Sequence, residues 1–370
     1  MTIYVGSLKY SPVFKSHCCA FGKACEEEGH SVRYLFSGEY EWMLPKGIKE
    51  KTRFIGRSIS ISSMMKDALS FKNREKIGKI FSENQPTHVY MHNYHFLNHY
   101  IAKLSKRHEC VFVYHVHEPY VQNKKAHGGF HQYWLYPFEY YQGKLLENTD
   151  IAIVSSNMAS RLFDLSYPDF SGRKMSIPLM FEDLGNSLDR KDREYITFVG
   201  PPVPAKNPEK FLDIVKCSNK SNLGLRYLLL SRSKVKDSTY FKEKNLQVFF
   251  KVRISDEEFG DLIKRSIAVL TPYKRETQSS VIPVSYMYGT PVVSSNVGGL
   301  PEFVSHKKTG YLLDLDAEVE EWIEGISYIQ KNFPRISMNC RKYFVENFSG
   351  KNWEKYLGHL LSREGLQKSE

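Results

Sequence analysis

The chain has 370 residues, more than a single hydrophobic core comfortably serves, so two domains are expected. Its 41% hydrophobic and 25% charged residues are ordinary globular composition and exclude long disorder. The formal charge of +11 attracts anions, but it is spread over both halves with no nucleic-acid module beside it, which argues against nucleic-acid binding.

From the N-terminus, TIYVG reads as a strand, FKSHCCAFGKACEEEGH as a helix closed by Gly29, and SVRYLF as a second strand. THVYMH, CVFVYHVH and IAIVSS follow as short apolar runs with room for crossovers between them. The opening MTIYVGSLKY lacks a charged leader, and no run approaches eighteen apolar residues. Cys18, Cys19, Cys25, Cys110, Cys217 and Cys340 show neither paired spacing nor a disulfide framework. A reduced, cytoplasmic protein is therefore predicted. The polar segment NSLDRKDRE, 186–194, marks the domain junction. Beyond it come YITFVG, a helix NPEKFLDIVKCS, RYLLLS, LQVFFKV, a helix from Asp256 to about Lys264, AVLTPY and TPVVSS. Buried-type strands alternating with helices predict two α/β domains, each a doubly wound parallel sheet, facing a cleft.

Two stretches carry the chemistry. In FVGPPVPAKNPEKFL a strand, a Gly-Pro turn and a helix place Lys206 and Asn207 near a helix start, where free N–H groups and a lysine suit a phosphate. In AVLTPYKRETQSSVIPVSYMYGTPVVSSNVGG a strand ends at Thr271-Pro272. A polar loop then carries Arg275, Glu276, Thr277, Gln278, Ser279 and Ser280, with the two serines as candidate caps of the next helix. Gly298-Gly299 suits a close backbone approach. Strand ends of open α/β sheets are where ligands bind.

These strings resemble a family. G-x-P-V-V-x-x-x-x-G-G-x-x-E-x-V followed by T-G-Y-L-L is similar to the retaining glycosyltransferases of family 4, which have the GT-B fold. FVGPPVPAKNP resembles that family's G-R-x-x-x-x-K-N turn, VRISDEEF its turn along the nucleotide, and NFSGKNWEKYLGHLL its closing helix. The resemblance implies an acceptor-binding domain at 1–188, a nucleotide-sugar domain at 189–350, and a crossover helix and tail at 351–370 that return to the N-terminal domain. It implies a UDP- or GDP-sugar donor, a lipid-linked or cell-surface glycan acceptor, and retention of anomeric configuration without a metal. Lys206 would meet the diphosphate, and Glu276 the sugar hydroxyls. The 277–280 backbone would hold the phosphate, and Arg253 and Ile254 the base. His117 of YHVHEPY would lie near the transferred sugar, with His92 of YMHNYH a second strand-end histidine and Glu118 either orienting His117 or capping the next segment. No D-x-D-like metal spacing accompanies them.

Three departures stand out. Val284 occupies the position of the family's second acid, Pro201 that of its first arginine, and Gly6-Ser7 replaces an N-terminal glycine pair. Arg232, Arg253 and Arg275 are the candidates to replace the arginine. These losses motivate an alternative: a GT-B binding subunit impaired in turnover. Between residues 45 and 80, ten basic residues face three acids. Phe54, Ile55, Ile59, Ile61, Met64, Met65, Leu69 and Phe71 are interleaved with them, a mixture that predicts peripheral docking on an anionic membrane, helped by Lys124 and Lys125.

Overall fold

The computed structural model describes residues 1–119, 131–185, 192–232 and 238–364. The polar junction at 186–191 and Lys124 and Lys125 lie outside the described residues. The chain divides into two compact units. One comprises the chain through Pro119, Tyr133–Glu182 and the segment from Ser349 onward; the other comprises Asp183–Phe348.

The first unit holds a parallel sheet of β1 (Thr2–Ser7), β2 (Ser31–Phe36), β3 (Thr52–Phe54), β4 (His88–His92), β5 (Val111–His115), β6 (Ile151–Val154) and β7 (Arg173–Ser176), in the order β3-β2-β1-β4-β5-β6-β7. The central strands β1, β4, β5 and β6 bury both faces. Ile3, Val5, Val113 and Ile153 pack toward the helix Pro12–Glu27, while Tyr4, Val89, Phe112 and Ala152 pack into the core on the other face. Parallel pairing requires crossovers, and the helices that supply them cover the sheet. The C-terminal helix Glu354–Leu361 belongs to this unit. Trp353, Leu357 and Leu360 join the same core as Ile3 and Val5, and Trp353 meets Phe21 edge-on at 4.9 Å. Burying these three side chains contributes roughly 1.5–3 kcal/mol each. That is what ties the chain end to the first sheet.

The second unit's sheet runs β10-β9-β8-β11-β12-β13. Its strands are β8 (Tyr195–Val199), β9 (Arg226–Ser231), β10 (Leu246–Phe250), β11 (Ser266–Thr271), β12 (Val292–Ser295) and β13 (Gly310–Leu313). Every pairing in it is parallel. The predicted strands and the helix Asp256–Lys264 all form. The pattern of apolar runs missed β13, whose GYLL was quoted only within a motif, and also β3 and β7, whose sequences TRF and RKMS are short and half-exposed at the first sheet's two edges, where no apolar run is required.

Candidate functional site

In the second sheet the strand order reverses between β8 and β11, with β9 and β10 extending to one side and β12 and β13 to the other. Loops at the C-terminal ends of β8 and β11 flank the crevice that such a reversal creates. These are the Lys206 and Glu276 loops. Along the strand ends the order of residues is Arg253 after β10, Arg232 after β9, Lys206 after β8, Arg275 and Glu276 after β11, and Gly298 after β12.

The two central loops are tied together. The Lys274 N–H donates to the Ala205 carbonyl at 2.9 Å. The Lys206 ammonium donates to the Tyr273 hydroxyl at 3.3 Å and lies 4.8 Å from the centre of its ring. Gly200 makes this possible. It sits at φ +114°, and a Cβ there would come within 2.7 Å of Lys206 Nζ. Burial works to lower the pKa of Lys206, but Tyr273 and Glu276 outweigh it, so the ammonium is held above its usual range. The fully buried Tyr273 phenol is also pushed up, by burial, with Lys206 opposing. The result is a fixed positive charge on an aromatic platform.

Glu276 is seated by the glycine pair. Gly298 has φ +56°, and a Cβ on it would lie 1.9 Å from the Glu276 carbonyl oxygen. The Gly299 N–H donates to that same oxygen at 3.0 Å. The close approach predicted for these glycines is therefore to the backbone of the loop acid. Thr277, Gln278 and Ser279 are buried beside it, and Ser280 is half-buried. One cap is corrected: Ser279 Oγ accepts from the Val281 N–H at 3.3 Å, whereas Ser280, in the helical region itself, makes no side-chain cap. Val284 lies within the helix Val281–Met287, where a second acid was looked for. Arg253 is exposed and Ile254 buried in the turn before the helix Asp256–Lys264, whose cap is Ser255. The Arg232 guanidinium stacks 5.0 Å from the Phe259 ring of that helix. Sequence reading missed Tyr273; its signal was an aromatic directly after the strand-ending Thr-Pro.

The first sheet reverses between β1 and β4. Gly6 and Ser7 lie within β1, and Lys9 follows it. Burial lowers the pKa of Lys9, with Glu118 partly opposing, so Glu118 acts on this lysine. His117, two residues past β5, packs edge-on to Phe14 at 4.9 Å and lies 5.8 Å from His92 between ring centres. Burial, then Lys9, pushes the His117 imidazole down to about 4. Beneath it His17, His92 and His115 are wholly buried, each held neutral chiefly by burial. Sequence reading named His92 and passed over His17 and His115. The missed signal was His115, register partner of His92 on the neighbouring strand.

The basic stretch at 45–80 forms the helices Lys46–Glu50, Ile61–Leu69 and Phe71–Asn84. Ile55 and Met64 are buried in the core, which corrects their expected exposure. Ile59, Met65, Leu69 and Phe71 are exposed, the last two by 78% and 80%. An apolar patch among lysines thus survives in half of the predicted form. No helix among the described residues is long and apolar enough to cross a membrane.

Residues 181–347 match the family described as Glycosyl transferases group 1. D-inositol 3-phosphate glycosyltransferase of Mycobacteroides abscessus is 25% identical over 185 residues, 48% of this chain and 40% of that protein. The match thus spans about two fifths of this relative's length. Among solved structures, Anabaena HepE in complex with UDP-glucose is 14% identical, with a TM-score of 0.68 over 98% of this chain and 99% of that one. WaaG, a glycosyltransferase involved in lipopolysaccharide biosynthesis, is 12% identical, with a TM-score of 0.68 over 98% and 100%. Sucrose-phosphate synthase from Thermosynechococcus elongatus is 14% identical, with a TM-score of 0.67 over 97% and 98%. The chain has the GT-B fold, and its residues 181–347 are similar to the group 1 glycosyl transferases.

Proposed function

We propose that this chain is a group 1, retaining glycosyltransferase that moves a sugar from a UDP- or GDP-sugar to a lipid-linked or cell-surface glycan precursor. The observation that carries the reading is the paired loops at the β8–β11 reversal, where Lys206 is fixed over Tyr273 and Glu276 is seated by Gly298 and Gly299. Cleaving the anomeric C–O bond builds positive charge on the sugar and negative charge on the departing diphosphate. A pre-positioned ammonium and loop N–H groups stabilise that leaving group without having to reorganise. Glu276 orients the sugar through its hydroxyls. In the proposed path the departing phosphate oxygen takes the acceptor's proton on the same face of the ring, so configuration is kept, no protein nucleophile is needed, and no metal takes part.

The acceptor is assigned to the first unit, near Lys9 and His117. The exposed Leu69 and Phe71, with Lys66, Lys72 and Lys76 beside them, support docking on an anionic cytosolic leaflet, where each cation contributes about 1 kcal/mol. Incubation with a panel of UDP- and GDP-sugars, with nucleoside diphosphate release followed with and without lipid-linked acceptors, tests the activity. Nuclear magnetic resonance of the product reads its anomeric configuration. Binding without turnover for every pair would favour the impaired-subunit reading suggested by Val284. Co-sedimentation with vesicles of rising anionic content tests docking; binding that ignores salt, or survives reversal of Lys72, Arg74, Lys76 and Lys79 to Glu, would exclude it.

A further inference from the structure

We propose that His17, His92 and His115 form a binding site for a single zinc-class ion inside the first unit. His17 comes from the helix Pro12–Glu27, and His92 and His115 end the adjacent strands β4 and β5 as register partners. All three are 0% exposed, and one ring nitrogen from each lies within 4.8 Å of the others.

The hydrogen bonds of the outer nitrogens point the inner ones at one another. His17 Nδ1 lies 2.9 Å from the Met180 carbonyl, and His115 Nε2 lies 2.6 Å from Ser155 Oγ. With protons on those outer nitrogens, His17 Nε2 and His115 Nδ1 face each other with lone pairs at 3.2 Å. Metal–nitrogen bonds of 2.0–2.1 Å in a tetrahedron place neighbouring nitrogens about 3.3 Å apart. Outer-nitrogen bonds of this kind are also how metal-bound histidines are oriented.

A plain hydrogen-bonded cluster explains part of this. The Met180 N–H, 3.0 Å from His17 Nδ1, allows the other tautomer, and the Tyr90 hydroxyl bridges His17 Nε2 at 3.0 Å and His115 Nδ1 at 2.6 Å. Neither tautomer accounts for His92. Both of its nitrogens are buried without a hydrogen-bond partner. Its ring lies 4.3 Å from that of His115 and 4.8 Å from that of His17. Leaving such a group unsatisfied costs about 1–3 kcal/mol per polar atom, whereas a ring movement on the order of 1 Å would bring one nitrogen to ligand distance. Tyr90 Oη, close to both His17 Nε2 and His115 Nδ1, is a candidate fourth ligand. Neutral imidazoles, with no carboxylate among the three ligands, select zinc or cobalt(II) over magnesium or calcium. The ion would pin the helix to both strands beneath His117, and it would take no part in activating the leaving group.

The test uses the whole chain, stripped with chelator and then titrated with zinc or cobalt(II) alone. One equivalent should bind and raise the unfolding midpoint by about 5–10 °C at a hundredfold excess over Kd. The cobalt form should show tetrahedral visible bands without sulfur-to-cobalt charge transfer, which separates the histidines from the neighbouring Cys18 and Cys19. His92→Phe removes a ligand and no hydrogen bond, so it should fold and bind at least about 100-fold more weakly. The cobalt spectrum of the wild-type chain is read independently of that variant. Absent stoichiometric uptake, sulfur bands, or binding and midpoint shift unchanged in His92→Phe would each overturn the assignment.

Discussion

Lys9 and Lys206 occupy equivalent places, each following the central strand at which its sheet reverses, yet the two units treat them in opposite ways. Burial works to depress both ammonium groups, but Tyr273 and Glu276 outweigh it at Lys206, while Glu118 opposes it only in part at Lys9. The second unit has built a permanent cation on polar loops. The first sets its lysine near His95 and His117, both held low by burial, and His117 packs on Phe14. One topology thus carries two chemistries. A fixed charge suits a diphosphate, which is charged in every state; a surface lined by neutral histidines suits groups recognised by shape and hydrogen bonding.

Four variants or conditions would break or sharpen that contrast. Glu276→Ala should lower transfer by about 100-fold or more, because the donor sugar loses its positioning. Unfolding measured by circular dichroism should stay cooperative and lose only about 1 kcal/mol, from the charge that Glu276 sets opposite Lys206. A normal rate would remove Glu276 from the site. Gly298→Ala should reproduce most of that loss without touching the carboxylate, since the new methyl meets the Glu276 carbonyl oxygen and the φ of +56° disfavours it. The strain should also cost about 1–3 kcal/mol of stability, read by denaturant melts. Lys206→Ala should weaken nucleoside diphosphate binding by roughly 10–100-fold in calorimetry, the size of one charge-assisted bond. Unaltered affinity would put the phosphate elsewhere.

The fourth is acid. Burial, with Lys9 adding, pushes His95 down to about 3, and burial, with Arg363 adding, pushes His88 down to about 4. Unfolded histidine titrates near 6.5, so between these values the unfolded chain binds more protons and stability falls as pH falls. The stabilisation is intact above about pH 6.5, and each of these buried histidines should have lost about 2 kcal/mol by pH 5. His306 of the second unit is exposed. Hydrogen exchange at stepped pH should therefore show the first unit opening before the second, and simultaneous opening would deny the contrast.

Much of the second unit's candidate site was legible because its residues are close in sequence: Glu276 and Gly298 share one loop–helix–strand passage, and Lys206 sits in a Gly-Pro turn. What the residues could not reveal was the support beneath them, since Tyr273 and Gly200 act through space on Lys206. In the first unit the spacing of positions 17, 92 and 115 has no local pattern, and only strand register and helix packing bring them together. Alternation and β-branched runs were enough for the central strands. The edge strands β3 and β7 escaped because half of their surface faces water.

The most direct test of the central claim is hydrogen exchange of the whole chain with and without saturating UDP-sugar or GDP-sugar, whichever raises the unfolding midpoint. Protection should be concentrated at residues 200–207, 273–280 and 296–299, and should be lost in Lys206→Ala at the same ligand concentration. A nucleotide-sugar that stabilises the protein while leaving those three loops exchanging as in the free chain would contradict that claim.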